Sequence, residues 1–492
     1  MGSKGCVQGS IGGPTFWNLL LDPLLYELDR RDSHCQAFAD DVVLAFDGHD
    51  VGKIQEKANE TLAYVRDWGV RNKLKFAPHK TKAMVITRKL KYDSPILHMG
   101  GVNIGLEKEI KILGVTIDSG LTFNAHIAEV CKKAVALYNQ LSRAARSQWG
   151  LGPEIIQLLY TAVVEPIVLY GASVWAPASR KLGVRKQLAV VQRGFAQKLT
   201  RAYRTVSLNS ALLLAGILPL DIRARENASL YEIKRGFSQR VVGDREVERP
   251  VTFGELEHPA QRCTIAYRCL ADRAEVSQAI TDQGLTIYTD GSKIEDKVGA
   301  AFSVWENAAE TKTKKLRLDS SCTVYQAELL ALHRAVEEAA KSAAVKCSIL
   351  RDSRAALDTV SDSVSLHALA MSIRKHLKTM KEQNKTVNLF WIKAHAGLEG
   401  NERADELAKD AALHLKTRPN YDSCPVSFLK RQIRLESIEE WDGRYREGET
   451  ASTTKLFFPS AVKAYPIIKN IPTDSHITQA FTGHGGFSEY LH

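Results

Sequence analysis

Leu285-Thr286-Ile287-Tyr288-Thr289 runs directly into Asp290-Gly291-Ser292. The leading residues are aliphatic, β-branched or aromatic and predict a strand. The Asp-Gly-Ser that follows predicts its stop. Working outward, residues 299–304 and 314–318 predict two more strands, and residues 323–341, rich in Ala, Leu and Glu, predict a long helix. A strand over 346–350 ends at Arg351-Asp352. Beyond it come a helical stretch over 363–383, a strand over 387–392 and a helix over 401–415. Strands first, then strands alternating with helices, predict a mixed sheet with helices packed on it.

Four acids fall at informative places in this pattern. Asp290 and Asp352 each come directly after an apolar strand, and ligands collect at the carboxyl ends of strands in open α/β sheets. Glu328 shares a helix face with Val324, Leu332, Ala335 and Ala339, so its carboxylate is expected to face the sheet. Asp405 stands in the first turns of its helix, beside a stripe of Ala404, Leu407, Ala408 and Ala411, where the helix N-terminus favours an anion. A buried carboxylate is costly unless it is paired or bound to metal. Hard divalent cations, Mg2+ or Mn2+, suit such an oxygen-only set, and two of them about 4 Å apart can activate a water and stabilise a phosphodiester's leaving oxygen. His395, in Lys393-Ala394-His395-Ala396-Gly397, is placed to move protons near a leaving group. Taken singly, an Asp after a strand is ordinarily a turn residue or a helix cap, and a loop His a surface residue. Glu328 resists the bland reading because of its apolar surroundings.

Composition sets the outer bounds. The 492 residues suggest about three domains, and the apolar and charged fractions of 44% and 25% are those of an ordinary globular protein. A net charge of +11 favours a polyanionic partner, most often nucleic acid. The eight cysteines contain no C-x-x-C pair, which leaves neither a disulfide framework nor a zinc site and fits reduced thiols in an intracellular protein. No apolar run approaches the roughly 18 residues that span a membrane, so no membrane partner is expected.

Near the amino terminus, Phe38-Ala39-Asp40-Asp41 lies between the apolar runs 35–38 and 42–46. Two strands joined there would carry paired carboxylates at the tip, a pair that suits Mg2+ in nucleotidyl transfer. A solvated hairpin turn is the competing reading, since Asp is common in turns.

Tyr288-Thr289-Asp290-Gly291-Ser292, Gln326-Ala327-Glu328-Leu329, Asp352-Ser353, His395-Ala396-Gly397 and Gly400-Asn401-Glu402-Arg403-Ala404-Asp405 together resemble the ribonuclease H family in order and spacing, over residues 283–415. The resemblance implies Asp290, Glu328, Asp352 and Asp405 as ligands of two Mg2+ or Mn2+ ions, with His395 assisting, and hydrolysis of the RNA strand of an RNA–DNA hybrid. Arg351 departs from the family pattern, which has a small polar residue there. It either touches substrate phosphate or does nothing.

Gly5-Cys6-Val7-Gln8-Gly9-Ser10, Gly13-Pro14, Trp17-Asn18-Leu19, Ala39-Asp40-Asp41, Asn72-Lys73-Leu74-Lys75-Phe76, His79-Lys80-Thr81-Lys82 and Ile112-Leu113-Gly114-Val115 resemble the palm of reverse transcriptases, in particular Pol proteins of insect non-LTR retrotransposons. This implies that Gln8 and Gly9 lie against the incoming nucleotide and template. It implies Asp40 and Asp41 as a metal-binding pair, and Lys80 near the nucleotide phosphates, against the alternative of a solvated Lys in a basic loop. The expected architecture is multidomain, α/β and α+β: a partial palm over 1–120, a helical thumb and connection over 121–280, the ribonuclease H domain over 283–415, and a tail of uncertain structure over 416–492. Trp149-Gly150-Leu151 and 170–175 are the thumb's recognisable pieces, and basic residues such as Lys132, Lys133, Arg143, Arg146, Arg180, Lys181, Arg185 and Lys186 either line a duplex through its phosphates or form solvated helix faces.

On this resemblance the chain starts after the family's upstream catalytic Asp, its fingers and its endonuclease, and ends at Glu489-Tyr490-Leu491-His492 where a Cys/His knuckle would follow. The expectation is a fragment or degenerate copy of a larger polyprotein, with an incomplete polymerase site and a whole nuclease site. The expected partners are an RNA–DNA hybrid, an RNA template with a DNA primer and, in the parent protein, dNTPs. The expected location is intracellular, in cytoplasm or nucleus, and no oligomeric state is indicated. Two rivals are a catalytically inert nucleic-acid-binding remnant and a cellular ribonuclease H with an unrelated basic extension. Gln8-Gly9 and Ala39-Asp40-Asp41 in order argue against the second.

Overall fold

The computed structural model describes residues 9–144, 150–236, 245–280, 284–394, 397–468, 470–471 and 474–485. Gln8, Arg146, Trp149 and His395 lie outside them. The chain divides into two units, one of Met1–Gly171 with Trp175–Arg204, the other of Ala172–Val174 with Thr205–His492.

In the first unit, helix α1 (Gly13–Arg30) buries Leu21, Leu24 and Leu28, spaced to fall on one face. They pack against Leu62, Val65 and Trp68 of helix α2 (Val51–Arg71). Asp50 starts α2 by accepting the N–H groups of Gly52 and Lys53 at 2.7 and 3.2 Å. The hairpin β1 (His34–Phe38) and β2 (Asp41–Ala45) leans on the same cluster through Cys35, Ala37 and Leu44. Two further two-stranded ladders follow, β3 (Leu97–Met99) with β4 (Val102–Ile104) and β5 (Glu109–Ile112) with β6 (Val115–Asp118). Beyond Asp118 the unit turns helical, with α3 (Asn124–Ala144) packed on α4 (Leu182–Leu199). Trp175 is fully buried, and its indole N–H donates to the Tyr170 carbonyl at 2.9 Å, so it is a core residue.

In the second unit, helix α5 (Leu220–Arg235) follows a short helix over Leu208–Leu214 and precedes a six-stranded sheet. Its strands are β7 (Tyr267–Leu270), β8 (Leu285–Ile294), β9 (Lys297–Glu306), β10 (Ala309–Leu318), β11 (Lys346–Arg351) and β12 (Thr386–Ile392), in the order β10-β9-β8-β11-β12-β7. The β10-β9-β8 side is antiparallel and the β8-β11-β12-β7 side parallel. The helices are α6 (Val324–Lys341), α7 (Arg354–Ser361), α8 (Ala368–Glu382) and α9 (Glu399–His414). Ile287, Ile349 and Leu389 pack with Leu329 and Leu332 of α6, Leu357 of α7 and Ile373 of α8. Tyr288, Leu350 and Phe390, one step along each strand, pack with Leu398 and Ala404. The period of two thus fills both faces, which is why these strands are largely apolar and show no strict alternation of polar and apolar residues.

Several elements differ from the sequence expectation. Strand β8 does not stop at Asp290-Gly291-Ser292 but continues to Ile294, because antiparallel pairing with β9 carries it on: Asp290 pairs with Ala301 and Ser292 with Gly299. The helical stretch expected over 363–383 is α8, and a further helix, α7, precedes it over Arg354–Ser361. Residues 267–270, expected within the connection, form the parallel edge strand of the sheet. Val324 is 41% exposed and drops out of the buried face of α6, whereas Leu329, Leu330 and Ala331 join it. The wider burial follows from α6 lying against both the sheet and α8.

The expected tail has definite structure. Asn420 donates to the Arg317 carbonyl at 2.7 Å and Asp319 to that of Tyr421 at 2.9 Å, fastening the chain beside β10. Helix α10 (Val426–Glu447) then packs on α5, with Arg434 on Glu226 at 2.8 Å and Arg444 on Asp221 at 2.6 Å. These two arginines are engaged by acids of α5, and Trp441 and Tyr445 are buried core.

Candidate metal centre

The parallel ladder between β8 and β11 ends at the pair Tyr288–Leu350. Asp290 and Asp352 each stand two residues beyond that pair, at the carboxyl end of the parallel strands. Helix α6 brings the third acid. Its start is set by a capping box in which Thr323 and Gln326 exchange side-chain-to-backbone hydrogen bonds. Just over one turn in, Glu328 faces the strand. Gly291 allows this approach: a Cβ there would stand 2.7 Å from the Glu328 backbone nitrogen and 2.9 Å from the Ala327 carbonyl carbon. Gly291→Ala is therefore expected to force α6 off β8 and destabilise the protein by about 1–3 kcal/mol, the usual cost of overpacking. Urea unfolding measures this, and an unchanged midpoint would refute it.

Carboxylate oxygens of Asp290, Glu328 and Asp352 all lie within 4.8 Å of one another. Asp290 and Glu328 are buried, at 7% and 6% exposure, and Asp352 is partly buried. Burial pushes the Asp290 carboxyl up to about 8, with further help from the charges of Glu328, Asp352 and Asp405. Burial also pushes Glu328 up to about 7, although the adjacent Arg351 pulls the other way. The Asp352 backbone is anchored by the Trp391 indole N–H, which donates to its carbonyl at 2.7 Å. Its carboxylate is approached by the Asn401 side-chain amide at 3.5 Å. The Asn401 carbonyl oxygen is buried without a partner.

Asp405 on α9 is not among the three that converge, but its charge is felt at Asp290. It accepts a hydrogen bond from Lys409, one turn along α9, at 2.7 Å, and that bond raises the Lys409 pKa. The apolar neighbours expected for Asp405 are in place: Ala404, Leu407, Ala408 and Ala411 are buried. Lys409 and Asn401 were not singled out from sequence. Lys409 was legible as an i+4 partner of Asp405.

The sharpest correction concerns Arg351. It is fully buried and donates to the Glu328 carboxylate, and to the Glu328 carbonyl at 3.1 Å. A side chain so enclosed does not reach out to a phosphate at the surface, and neither is it idle.

The amino-terminal candidates are arranged differently. Asp40 lies in the β1–β2 turn after Ala39, which adopts φ 52°, and Asp41 opens β2 opposite Phe38. Both are exposed. Lys80 ends a short turn at Pro78–Lys80 and is also exposed, and Gly9, with φ 85°, is exposed with open space where a Cβ would be. Gln8 and His395 lie outside the described residues.

An all-oxygen, buried, mutually repelling set of this kind fits a hard divalent cation and no softer metal. A family model described as RNase H matches residues 282–413, and one described as reverse transcriptase (RNA-dependent DNA polymerase) matches residues 1–117. The chain is 32% identical over 237 residues to the putative 115 kDa protein in type-1 retrotransposable element R1DM of Drosophila melanogaster, covering 48% of this chain and 23% of that protein. It is 30% identical over 253 residues to a retrovirus-related Pol polyprotein from a type-1 retrotransposable element R1 of Nasonia vitripennis, covering 50% of this chain and 62% of that one. The chain thus spans less than two thirds of either relative. Among solved structures, an N-terminal RNase H domain from Mycobacterium tuberculosis, fused to maltose binding protein, is 22% identical with a TM-score of 0.22, covering 26% of this chain and 98% of that one. With both family models matched in order and R1 elements as relatives, the chain is similar to the Pol proteins of insect non-LTR retrotransposons.

Proposed function

We propose that the second unit hydrolyses the RNA strand of an RNA–DNA hybrid at Asp290, Glu328, Asp352 and Asp405, using two divalent ions, Mg2+ or Mn2+. The observation that carries this is the convergence of three carboxylates within 4.8 Å at the carboxyl end of a parallel ladder. When bound, the ions activate a water and stabilise the leaving oxygen of the phosphodiester. The chain's own residues supply the rest. Asp290 sits in the middle of a paired strand, so its carboxylate has little freedom to move. Asp352 is held from behind by Trp391, and Asp405 is steadied by Lys409 at the side of the cluster. His395 is assigned to moving a proton near the leaving group, on the strength of its place two residues before Gly397 and four before the start of α9.

We assign a part in RNA-directed DNA synthesis to the amino-terminal region. There Asp40 and Asp41 serve as a metal-binding pair, Gln8 and Gly9 lie against nucleotide and template, and Lys80 lies near the phosphates. The exposed acidic tip of the β1–β2 hairpin and the family match over residues 1–117 support this. The basic net charge of +11 suits a template–primer or hybrid duplex. The cysteines among the described residues are all free, which fits a reducing intracellular setting, and no single described helix is long and apolar enough to cross a membrane.

The test is cleavage of a labelled RNA–DNA hybrid by the purified chain with Mg2+ and with EDTA. Loss of the RNA strand alone, abolished by EDTA, is expected. A folded protein that binds the hybrid and leaves it intact would replace the enzyme reading with that of an inert nucleic-acid-binding remnant.

A further inference from the structure

Arg351 is the one residue of the centre whose side chain is charged opposite to its neighbours, fully enclosed, and set in the backbone of the sheet. It is the last residue of β11, paired in register with Trp391 of β12, and has no exposed surface. Its guanidinium spans Glu328 end to end, meeting the carboxylate with one nitrogen and the main-chain carbonyl with another at 3.1 Å. Its Nε is buried with no partner. A planar fork that grips one residue at two points is fixed in orientation, unlike a Lys ammonium on a flexible stem. Burying a guanidinium is costly unless it is paired, and the partner it has chosen is one of the three converging acids.

Two consequences follow by electrostatics. One oxygen of Glu328 is already engaged, so an incoming dication finds Asp290 and Asp352 without an ion-paired cation among the described residues but must share or win Glu328. A fixed positive charge at the same carboxylate also repels that dication across a poorly screened interior. Lys409 does not act in the same way, because it is half exposed and holds Asp405 from the helix surface.

We propose that Arg351 is a built-in counter-cation that competes with divalent metal for Glu328 and thereby sets the metal affinity of the centre. Arg351 is a positioning residue: it touches neither substrate nor reacting atoms and acts through Glu328. With metal absent it keeps Glu328 ordered and charge-balanced. With metal present the carboxylate turns from guanidinium to ion, so the Glu328 arm of the site closes last. The proposal rests on the divalent-metal reading given above.

The experiment is Mn2+ binding to the full chain by calorimetry at pH 8, without nucleic acid, for wild type, Arg351→Gln and Arg351→Lys. Removing a unit charge beside the site is expected to tighten Mn2+ binding by about tenfold in Arg351→Gln, while Arg351→Lys, which keeps the charge, stays within about threefold of wild type. Equal affinity in all three, with Arg351→Gln folded, overturns the proposal. If Arg351→Gln does not fold, the guanidinium NMR signals of Arg351 in wild type decide: they are expected to shift and saturate with Mg2+, and signals unmoved at saturation overturn the proposal. Wild type that binds no Mn2+ at all would instead remove the metal reading itself, and this proposal with it.

Discussion

Asp290→Asn is expected to lower hybrid cleavage by about a thousandfold or more, while binding of the hybrid persists. The substitution keeps the side chain's shape and its place in the ladder opposite Ala301. It removes one anionic ligand from a set of three within 4.8 Å. Metal ions at such sites are worth several kcal/mol of transition-state stabilisation, and about 1.4 kcal/mol corresponds to each tenfold in rate. Hybrid binding is expected to rest mainly on phosphate contacts of a chain of net charge +11 and so to survive the loss. Stability separates this outcome from simple misfolding. The Asp290 carboxylate is buried against the charges of Glu328, Asp352 and Asp405, so a neutral amide leaves the metal-free fold at least as stable as wild type at pH 8. Cleavage at the wild-type rate by Asp290→Asn would remove Asp290 from the centre.

Most of the second unit was legible because local pattern and tertiary environment agree there. A run such as Leu285–Thr289 is aliphatic, β-branched or aromatic at every position, and the sheet buries it on both faces. Glu328 could be placed from its apolar companions because a carboxylate on a buried helix face has few bland explanations. What failed depended on partners distant in sequence. Asp290-Gly291-Ser292 reads as a turn, yet β9 pairs with it and keeps it extended. Tyr267–Leu270 is too short and mixed to announce a strand, and it becomes one only because β12 offers an unpaired edge. Arg351 was visible as a departure from the family pattern, but its direction was not. Strand register decides which face a residue points to, and a single sequence does not reveal that register before the sheet is known. The basic and aromatic residues of α10 fall in the stretch 416–492, whose structure the sequence left uncertain. The acids that hold Arg434 and Arg444, Glu226 and Asp221, lie some two hundred residues earlier. In the first unit the paired acids at residues 40–41 were legible as a hairpin tip.

In the metal-free protein, the contribution of the centre to stability is expected to fall as pH rises from about 4 to about 8, and divalent metal is expected to reverse the trend. Asp290 is pushed up to about 8 and Glu328 to about 7, whereas in the unfolded chain such carboxyls lose their protons near pH 4. Between those values the native state holds protons that the unfolded state has released, so stability declines with rising pH throughout the window. The favourable contribution is fully present below about pH 4 and gone above about pH 8. Because the acids interact, the pair titrates as a unit, and the total change is on the order of a few kcal/mol. Metal requires the deprotonated carboxylates, so binding expels these protons and stabilises the fold more at pH 8 than at pH 5. Other groups are shifted as well, among them His333, whose imidazole burial pushes below its usual range, so the informative quantity is a difference. The melting temperature of wild type minus that of Asp290→Asn, in EDTA, should drop between pH 5 and pH 8, and saturating Mg2+ should raise the wild-type value most at pH 8. A difference that stays flat across that interval would mean that Asp290 is not held protonated by its neighbours, and the electrostatic case for a metal-demanding centre would lose its main support.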